Sequence, residues 1–177
     1  MSYCTFCKTL PQDNHHRIYH DKHYGFPISS DNILFERLVF EINQAGLSWD
    51  LILKKQDNFR EAFVFFEINK VALYDEEKIA ELLQNPGIIR NKLKVNAAIH
   101  NANVILDLQK QHGSFKNWIE HYHPKTKEEW VKIFKKTFKF TGGEIVNEFL
   151  MSTGYLPGAH DLDCEVGLFL KQKEVNQ

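Results

Sequence analysis

Apolar residues along the chain recur every three or four positions, the spacing that lays one face of an α-helix against a core. The run ILFERLVFEI is the clearest case, with Leu34, Leu38, Ile42 and Ala45 forming a single stripe. WDLILKK, EEKIAELL, FKNWIEHY and EEWVKIFKK repeat the pattern. No run alternates apolar and polar residues between turn pairs, as a half-buried strand would. The pattern predicts an all-α fold.

Local punctuation divides these runs into helices. Ser30 or Asp31, Ser48, Asp75 and Ser114 stand where N-caps belong, and Thr126 with Glu129 reads as a capping box. Gly46, Pro86-Gly87, Gly113, Gly142-Gly143 and Gly154 supply the stops. The first thirty residues and the tail beyond Gly154 lack this periodicity, and such ends are expected to fray unless something ties them down.

The chain has 177 residues, of which 43% are hydrophobic and 13% aromatic, enough for one packed domain or two small lobes sharing a core. No apolar stretch reaches a membrane span, and MSYCTFCKTL has neither the basic flank nor the apolar core of a secretion signal, so a cytoplasmic protein is expected. Three cysteines are too few, and too odd a number, for a disulfide scaffold; they point to thiols or a metal site. The net charge of −1 gives no overall attraction for nucleic acid. Its distribution does: Gln84 to Leu106 carries no acid but holds Arg90, Lys92 and Lys94, and a second basic run, PKTKEEWVKIFKKTFK, begins at Pro124. A solvated helix face is the plain reading of such runs, and a phosphate-binding patch is the other.

Two features call for chemistry. Cys4, His20, His160 and Cys164 lie in the aperiodic ends, and two thiolates with two imidazoles satisfy a closed tetrahedral zinc site that would clip those ends together. Spacing alone leaves the set open, because Cys4-x2-Cys7 is also ligand-like and His15, His16 and His23 are near. The second feature is Glu41, roughly 20° from Leu34 around the helix and so on or beside the apolar face. An inward carboxylate costs several kcal/mol, by order of magnitude, unless a cation or strong donors meet it. That cation is either a core Arg or Lys or a ligand. Tyr19, Tyr24, Phe6 and Trp49 would give a flat cationic ligand aromatic walls, and Leu47 sits at the tip of the corner that Gly46 makes.

Y-H-D-x-x-[aromatic]-G at Tyr19 to Gly25, E-x-x-Q-A-G-L-S-W at Glu41 to Trp49, L-K-K at Leu53 to Lys55, G-I-I-R-x-x-x-K at Gly87 to Lys94, F-K-F-x-G at Phe138 to Gly142 and the terminal H-x3-C run in order along nearly the whole chain. Together they resemble the DNA-3-methyladenine glycosylase I family of the helix-hairpin-helix superfamily. The resemblance implies a two-lobed helical bundle forming a single glycosylase domain, with a hairpin near 84–94. It selects Cys4, His20, His160 and Cys164 as ligands of a structural Zn²⁺ and leaves Cys7 aside. Glu41 becomes the catalytic carboxylate, and Phe6, Tyr19, Tyr24 and Trp49 the base-binding residues. DNA contacts fall to Gly46, Leu47, Gly87, Ile88, Ile89, Arg90 and Lys92, with hairpin N–H groups holding a phosphate.

The implied reaction removes N3-methyladenine from alkylated double-stranded DNA. The base is turned out of the helix, Leu47 fills the gap, and the glycosidic bond is hydrolysed without lyase chemistry, by a monomer needing no organic cofactor. Departures from the family pattern are Tyr24 and Phe6 where tryptophan is common, a shortened HYHPKTKEEW segment, Thr-Gly-Gly after F-K-F, and the spacing of YLPGAH. A non-catalytic zinc-stapled DNA-binding module, or a glycosylase of broader alkyl-purine range, would share many of these features.

Overall fold

The computed structural model describes residues 1–175, and every regular element among them is helical. The chain divides into two compact units, Ile28–Phe149 and the two ends, Met1–Pro27 with Leu150 onward.

The larger unit begins with α3 (Asp31–Gln44) and α4 (Trp49–Ala62), followed by α5 (Ile68–Val71), α6 (Glu76–Gln84), α7 (Lys92–His112), α8 (Phe115–Tyr122) and α9 (Lys127–Thr137). Residues 143–149 of helix α10 (Gly143–Ser152) complete it. Ser30, Ser48, Asp75, Ser114 and Thr126 all accept a hydrogen bond from the first turn they precede, and Glu129 closes the capping box on Thr126. Helix α7 is the spine, touching α3, α5, α6 and α8. Its buried Ala97, Ala98 and Ala102 let those neighbours approach closely.

Aromatic rings fill this unit at both ends. Phe35, Phe40, Phe59, Phe63 and Phe66 interlock beside α3 and α4. Phe115, Trp118, Trp130, Phe134, Phe138 and Phe149 do so under α8 to α10. Each buried ring stabilises the fold by about 2–3 kcal/mol. The first cluster also holds an unusual turn: Val64, Phe65 and Phe66 are left-handed, with φ of 50°, 53° and 55°. Such backbone costs roughly 1–2 kcal/mol per residue. Phe63 and Phe66, both buried and stacked at 5.5 Å, offset that cost.

Asp31 serves two helices. It lies in the first turn of α3, yet its carboxylate accepts from the Phe115 N–H at 2.7 Å, the Lys116 N–H at 3.0 Å and Gln109 Nε2 at 2.7 Å. It thereby covers donors that Ser114, bonded to the Asn117 N–H, leaves open at the start of α8. Asp31→Ala should cost about 3 kcal/mol in urea denaturation, with Asp31→Asn losing about half of that. A loss below about 1 kcal/mol would show that water replaces the carboxylate freely.

The ends are not frayed, which corrects the expectation from periodicity. Residues 3–8 form α1 (Tyr3–Lys8), capped by Ser2, and α2 (His15–Lys22) is capped by Asn14. Helix α11 (Glu165–Val175) follows Cys164. The buried faces of α1 and α2 consist of Cys4 and Cys7, and of His16, Tyr19 and His20. That spacing is helical but carries no aliphatic stripe. Gly25 N–H bonds Ser152 O at 2.9 Å, and Ser2 donates to Asp161, so the chain's beginning and end are sewn together. No helix among the described residues is long and apolar enough to cross a membrane.

Candidate functional site

In the unit made from the chain ends, Cys4 on α1 and His20 on α2 meet His160 and Cys164 just before α11. Their ligand atoms all lie within 4.8 Å of one another. Cys4 Sγ is 3.7 Å from His160 Nδ1, Cys164 Sγ is 3.7 Å from His20 Nε2, and Cys164 Sγ is 3.6 Å from His160 Nδ1. Ordinary Zn–S and Zn–N bonds in a tetrahedron place sulfur and nitrogen about 3.5 Å apart. The outward ring nitrogens have partners as well: His20 Nδ1 lies 2.6 Å from Asp21 Oδ1, and His160 Nε2 is 2.7 Å from Tyr24 O. Those contacts leave Nε2 of His20 and Nδ1 of His160 facing the cluster.

Burial pushes the Cys4 thiol above its ordinary value, so a cation is needed to hold it as thiolate. Cys7 stands outside the group, its thiol directed to His16 O at 3.6 Å. Gly25, at φ +78°, is where the chain passes the cluster. A Cβ there would lie 2.9 Å from Ala159 Cβ and 3.2 Å from the His160 ring, so only glycine lets His160 reach Tyr24 O.

The same unit gathers aromatic side chains. Tyr19 and Tyr24 are buried with ring centroids 5.6 Å apart, while Phe6 on α1 is 37% exposed. Tyr3 joins them, edge-on to Tyr24 at 5.6 Å and hydrogen-bonded through its hydroxyl to His16 Nδ1 at 3.0 Å. Tyr3 was not singled out in the sequence, and His16 stood there only as a neighbour of the possible metal ligands. Helical spacing from Phe6 and Tyr19 is the signal that finds them: Tyr3 is three before Phe6, and His16 three before Tyr19.

In the larger unit, Glu41 lies on the inner face of α3 with 4% of its surface exposed. Among the described residues nothing donates a hydrogen bond to its carboxylate. Burial raises its pKa from 4.5 to about 8; the positive charge of Arg37, one turn earlier, opposes the rise, and Glu148 adds to it. Glu41 is thus an acid held ready for a cation or donor that reaches its carboxylate directly, since Arg37 acts on it only through its charge. Glu36, five residues earlier on α3, faces α4. Arg60 of α4 grips it with two bonds, at 2.8 and 3.0 Å, fastening α3 to α4.

Gly46, at φ +80°, turns the chain from α3 to α4. Leu47 at the tip is 38% exposed and is held from both sides, its N–H on Gln44 O at 2.7 Å and its carbonyl on Gln44 Nε2 at 2.9 Å. Trp49 is the half-buried first residue of α4. Lys94 belongs to this corner rather than to a basic surface. Its side chain is 5% exposed, and Nζ donates to Asn43 O at 2.8 Å and Ala45 O at 2.7 Å, closing the carbonyl end of α3.

The segment from Asn85 to Asn91 joins α6 to α7. Its N–H groups are fewer for a phosphate than the motif implies, because several are used internally. Gly87 N–H bonds Asn85 Oδ1 at 2.8 Å, Ile88 N–H reaches Asn85 O at 3.4 Å, and Asn91 Oδ1 caps Leu93 and Lys94. Among the described residues the N–H groups of Ile89, Arg90 and Lys92 have no partner. The Ile88 side chain is buried as an anchor, and Arg90 and Lys92 are exposed. Lys55 Nζ braces the loop through Pro86 O at 2.6 Å.

The chain is similar to known proteins over most of its length. The methyladenine glycosylase family matches residues 9–136. DNA-3-methyladenine glycosylase 1 of Escherichia coli K12 is 31% identical, over 89% of this chain and 94% of the relative. DNA-3-methyladenine glycosylase of Haemophilus influenzae Rd is 32% identical, over 90% and 96%. A solved variant of 3-methyladenine DNA glycosylase I in complex with 3-methyladenine superposes with a TM-score of 0.84 at 30% identity, covering 94% of this chain and 97% of that one.

Proposed function

This chain belongs to the methyladenine glycosylase family, and from that premise we propose that it excises N3-methyladenine from alkylated double-stranded DNA by hydrolysing the N-glycosidic bond. The observation that carries this reading is Glu41, a buried carboxylate without a hydrogen-bond donor. In DNA the methylated adenine is a cation, and it departs as a neutral base. A carboxylate in low dielectric attracts that cation far more strongly than it attracts an ordinary base. The leaving group is already activated, so the protein has to extrude, select and hold the nucleotide more than push the bond apart. Glu41 selects the charge. Stacking on the flat base is assigned to Phe6, Tyr19, Tyr24 and Trp49 through the family motifs.

Leu47, on its braced corner, fills the space the base leaves. Exposed Arg90 and Lys92, with the free N–H groups of Ile89, Arg90 and Lys92, grip the phosphate backbone. Cys4, His20, His160 and Cys164 would hold a structural Zn²⁺, whose closed S2N2 set contributes cross-linking and no position for substrate. No lysine nucleophile is assigned, so the product is an intact abasic strand. A cytoplasmic monomer acting on chromosomal DNA fits these roles.

The test is release of free base from methylated duplex DNA, with alkylated purines separated by chromatography. 3-Methyladenine should dominate the release, and borohydride should trap no covalent protein–DNA adduct. Binding without release would mean a DNA-binding module; a mixture rich in 7-methylguanine would mean a broader enzyme.

A further inference from the structure

The F-K-F motif presents its two aromatic residues in opposite ways. Phe138 is buried against Phe115, Trp118 and Phe134. Phe140 is 38% exposed and takes a left-handed backbone, with φ of +60°. A phenylalanine adopts that conformation only where its surroundings enforce it. Here the enforcement is visible on both sides. Asn101, wholly buried on α7, donates to Lys139 O at 3.0 Å and accepts from the Lys139 N–H at 2.8 Å. Thr141, also buried, bonds Phe134 O at 3.1 Å and Phe138 O at 3.3 Å. The chain between these clamps can only turn Phe140 outward. Beyond it, Gly142 and Gly143 have nothing within 4 Å of where a Cβ would stand, leaving the ground next to the ring open.

Lys94 fixes where this happens. Its Nζ lies 5.9 Å from the centre of the Phe140 ring and also bonds Asn43 O and Ala45 O, the carbonyls that lead into the Gly46-Leu47 tip. One buried ammonium therefore lies between the Phe140 ring and the backbone that leads into the Leu47 tip, two segments far apart in sequence. Lys135, Lys136 and Lys139 are exposed nearby in the chain and carry no ion pair among the described residues, which suits a polyanion. A lone exposed phenylalanine needs no explanation; one held outward by two buried clamps, in a conformation it resists, does.

We propose that Phe140 stacks on a DNA base left unstacked when the damaged nucleotide is turned out, sharing with Leu47 the task of holding the duplex open. This rests on the glycosylase reading above. A planar ring on a pre-strained loop suits stacking, because the cost of ordering it is met on folding and not on binding.

Phe140→Asn is the informative variant, since asparagine tolerates the left-handed backbone and should leave the melting temperature unchanged or slightly higher. The probe is a duplex bearing a tetrahydrofuran abasic analogue with 2-aminopurine opposite it. The wild-type protein should change the 2-aminopurine fluorescence, and Phe140→Asn should abolish most of that change and weaken binding to this duplex about tenfold. Affinity for free 3-methyladenine should stay as in the wild type, and Phe140→Trp should restore the fluorescence change. An unaltered fluorescence response and affinity in a folded Phe140→Asn protein overturns the proposal while leaving the glycosylase reading intact. Failure of the wild-type protein to release 3-methyladenine from methylated DNA overturns both.

Discussion

Glu41→Gln should lower kcat/KM for 3-methyladenine release at least about a hundredfold and, at pH 8, raise the melting temperature of the ligand-free protein. Both effects follow from one cause. The fold buries this carboxylate without giving it a donor, which raises its pKa to about 8 from 4.5. A group that binds its proton more tightly in the folded chain contributes stability that is complete below the unfolded value and lost as pH rises through the folded one. Between pH 4.5 and about 8 the ligand-free protein should therefore lose stability, on the order of 4 kcal/mol at most. Glutamine has no charge to desolvate, but its amide is buried without a partner at a cost of about 2 kcal/mol.

The net gain for Glu41→Gln at pH 8 is then about 2 kcal/mol, or roughly 5 °C, and it should vanish at about pH 6. The wild-type kcat/KM, which reports the free enzyme, should rise as Glu41 ionises and level off above about pH 8. A variant with wild-type turnover, or one equally destabilised at both pH values, would mean that Glu41 is only a piece of the core.

The second large effect concerns the cluster at the chain ends. Cys164→Ser, or prolonged exposure of the wild type to a strong chelator, should remove one equivalent of zinc and lower the melting temperature by about 10 °C or more. Hydrogen exchange should quicken in Tyr3–Lys22 and around His160, because α1 and α2 are short and bury mainly donor and aromatic side chains. Exchange in α7 should stay slow, since its core is built from its own alanines and the surrounding phenylalanines. His160 also holds the carbonyl of Tyr24 at 2.7 Å, so loss of the metal should weaken binding of free 3-methyladenine in the same samples. Purified, folded, active protein with no bound metal would refute the assignment.

Helix starts were legible because a cap is a local event: Ser30, Ser48, Asp75, Ser114 and Thr126 each bond a backbone N–H within three residues. The same signals stood at Ser2 and Asn14, but the helices they open bury cysteine, histidine and tyrosine, which an aliphatic pattern search passes over. Glu41 was legible as an anomaly, since charge on an apolar stripe shows in sequence. Lys94 was not. Nothing in the string distinguishes a lysine that turns inward to close the end of a helix from Lys92, two residues earlier, which stays in water. Nor could the left-handed Val64–Phe66 turn be read, because β-branched and aromatic residues argue against it and only the packing of Phe63 and Phe66 overrules them.

The cysteine–histidine cluster has a consequence for how the chain is made. A ribosome releases Cys4 and His20 first, and Cys164 follows His20 by 144 positions. At ordinary elongation rates the first two ligands wait on the order of ten seconds for the others. During that time Ile28–Phe149, with Glu41 inside it, is made while the leading segment still lacks two of its four ligands. Closure of the cluster then comes only to chains translated through Cys164. A transcript cut short before Cys164 would yield a product whose N-terminal segment lacks a closing ligand and stays open to degradation.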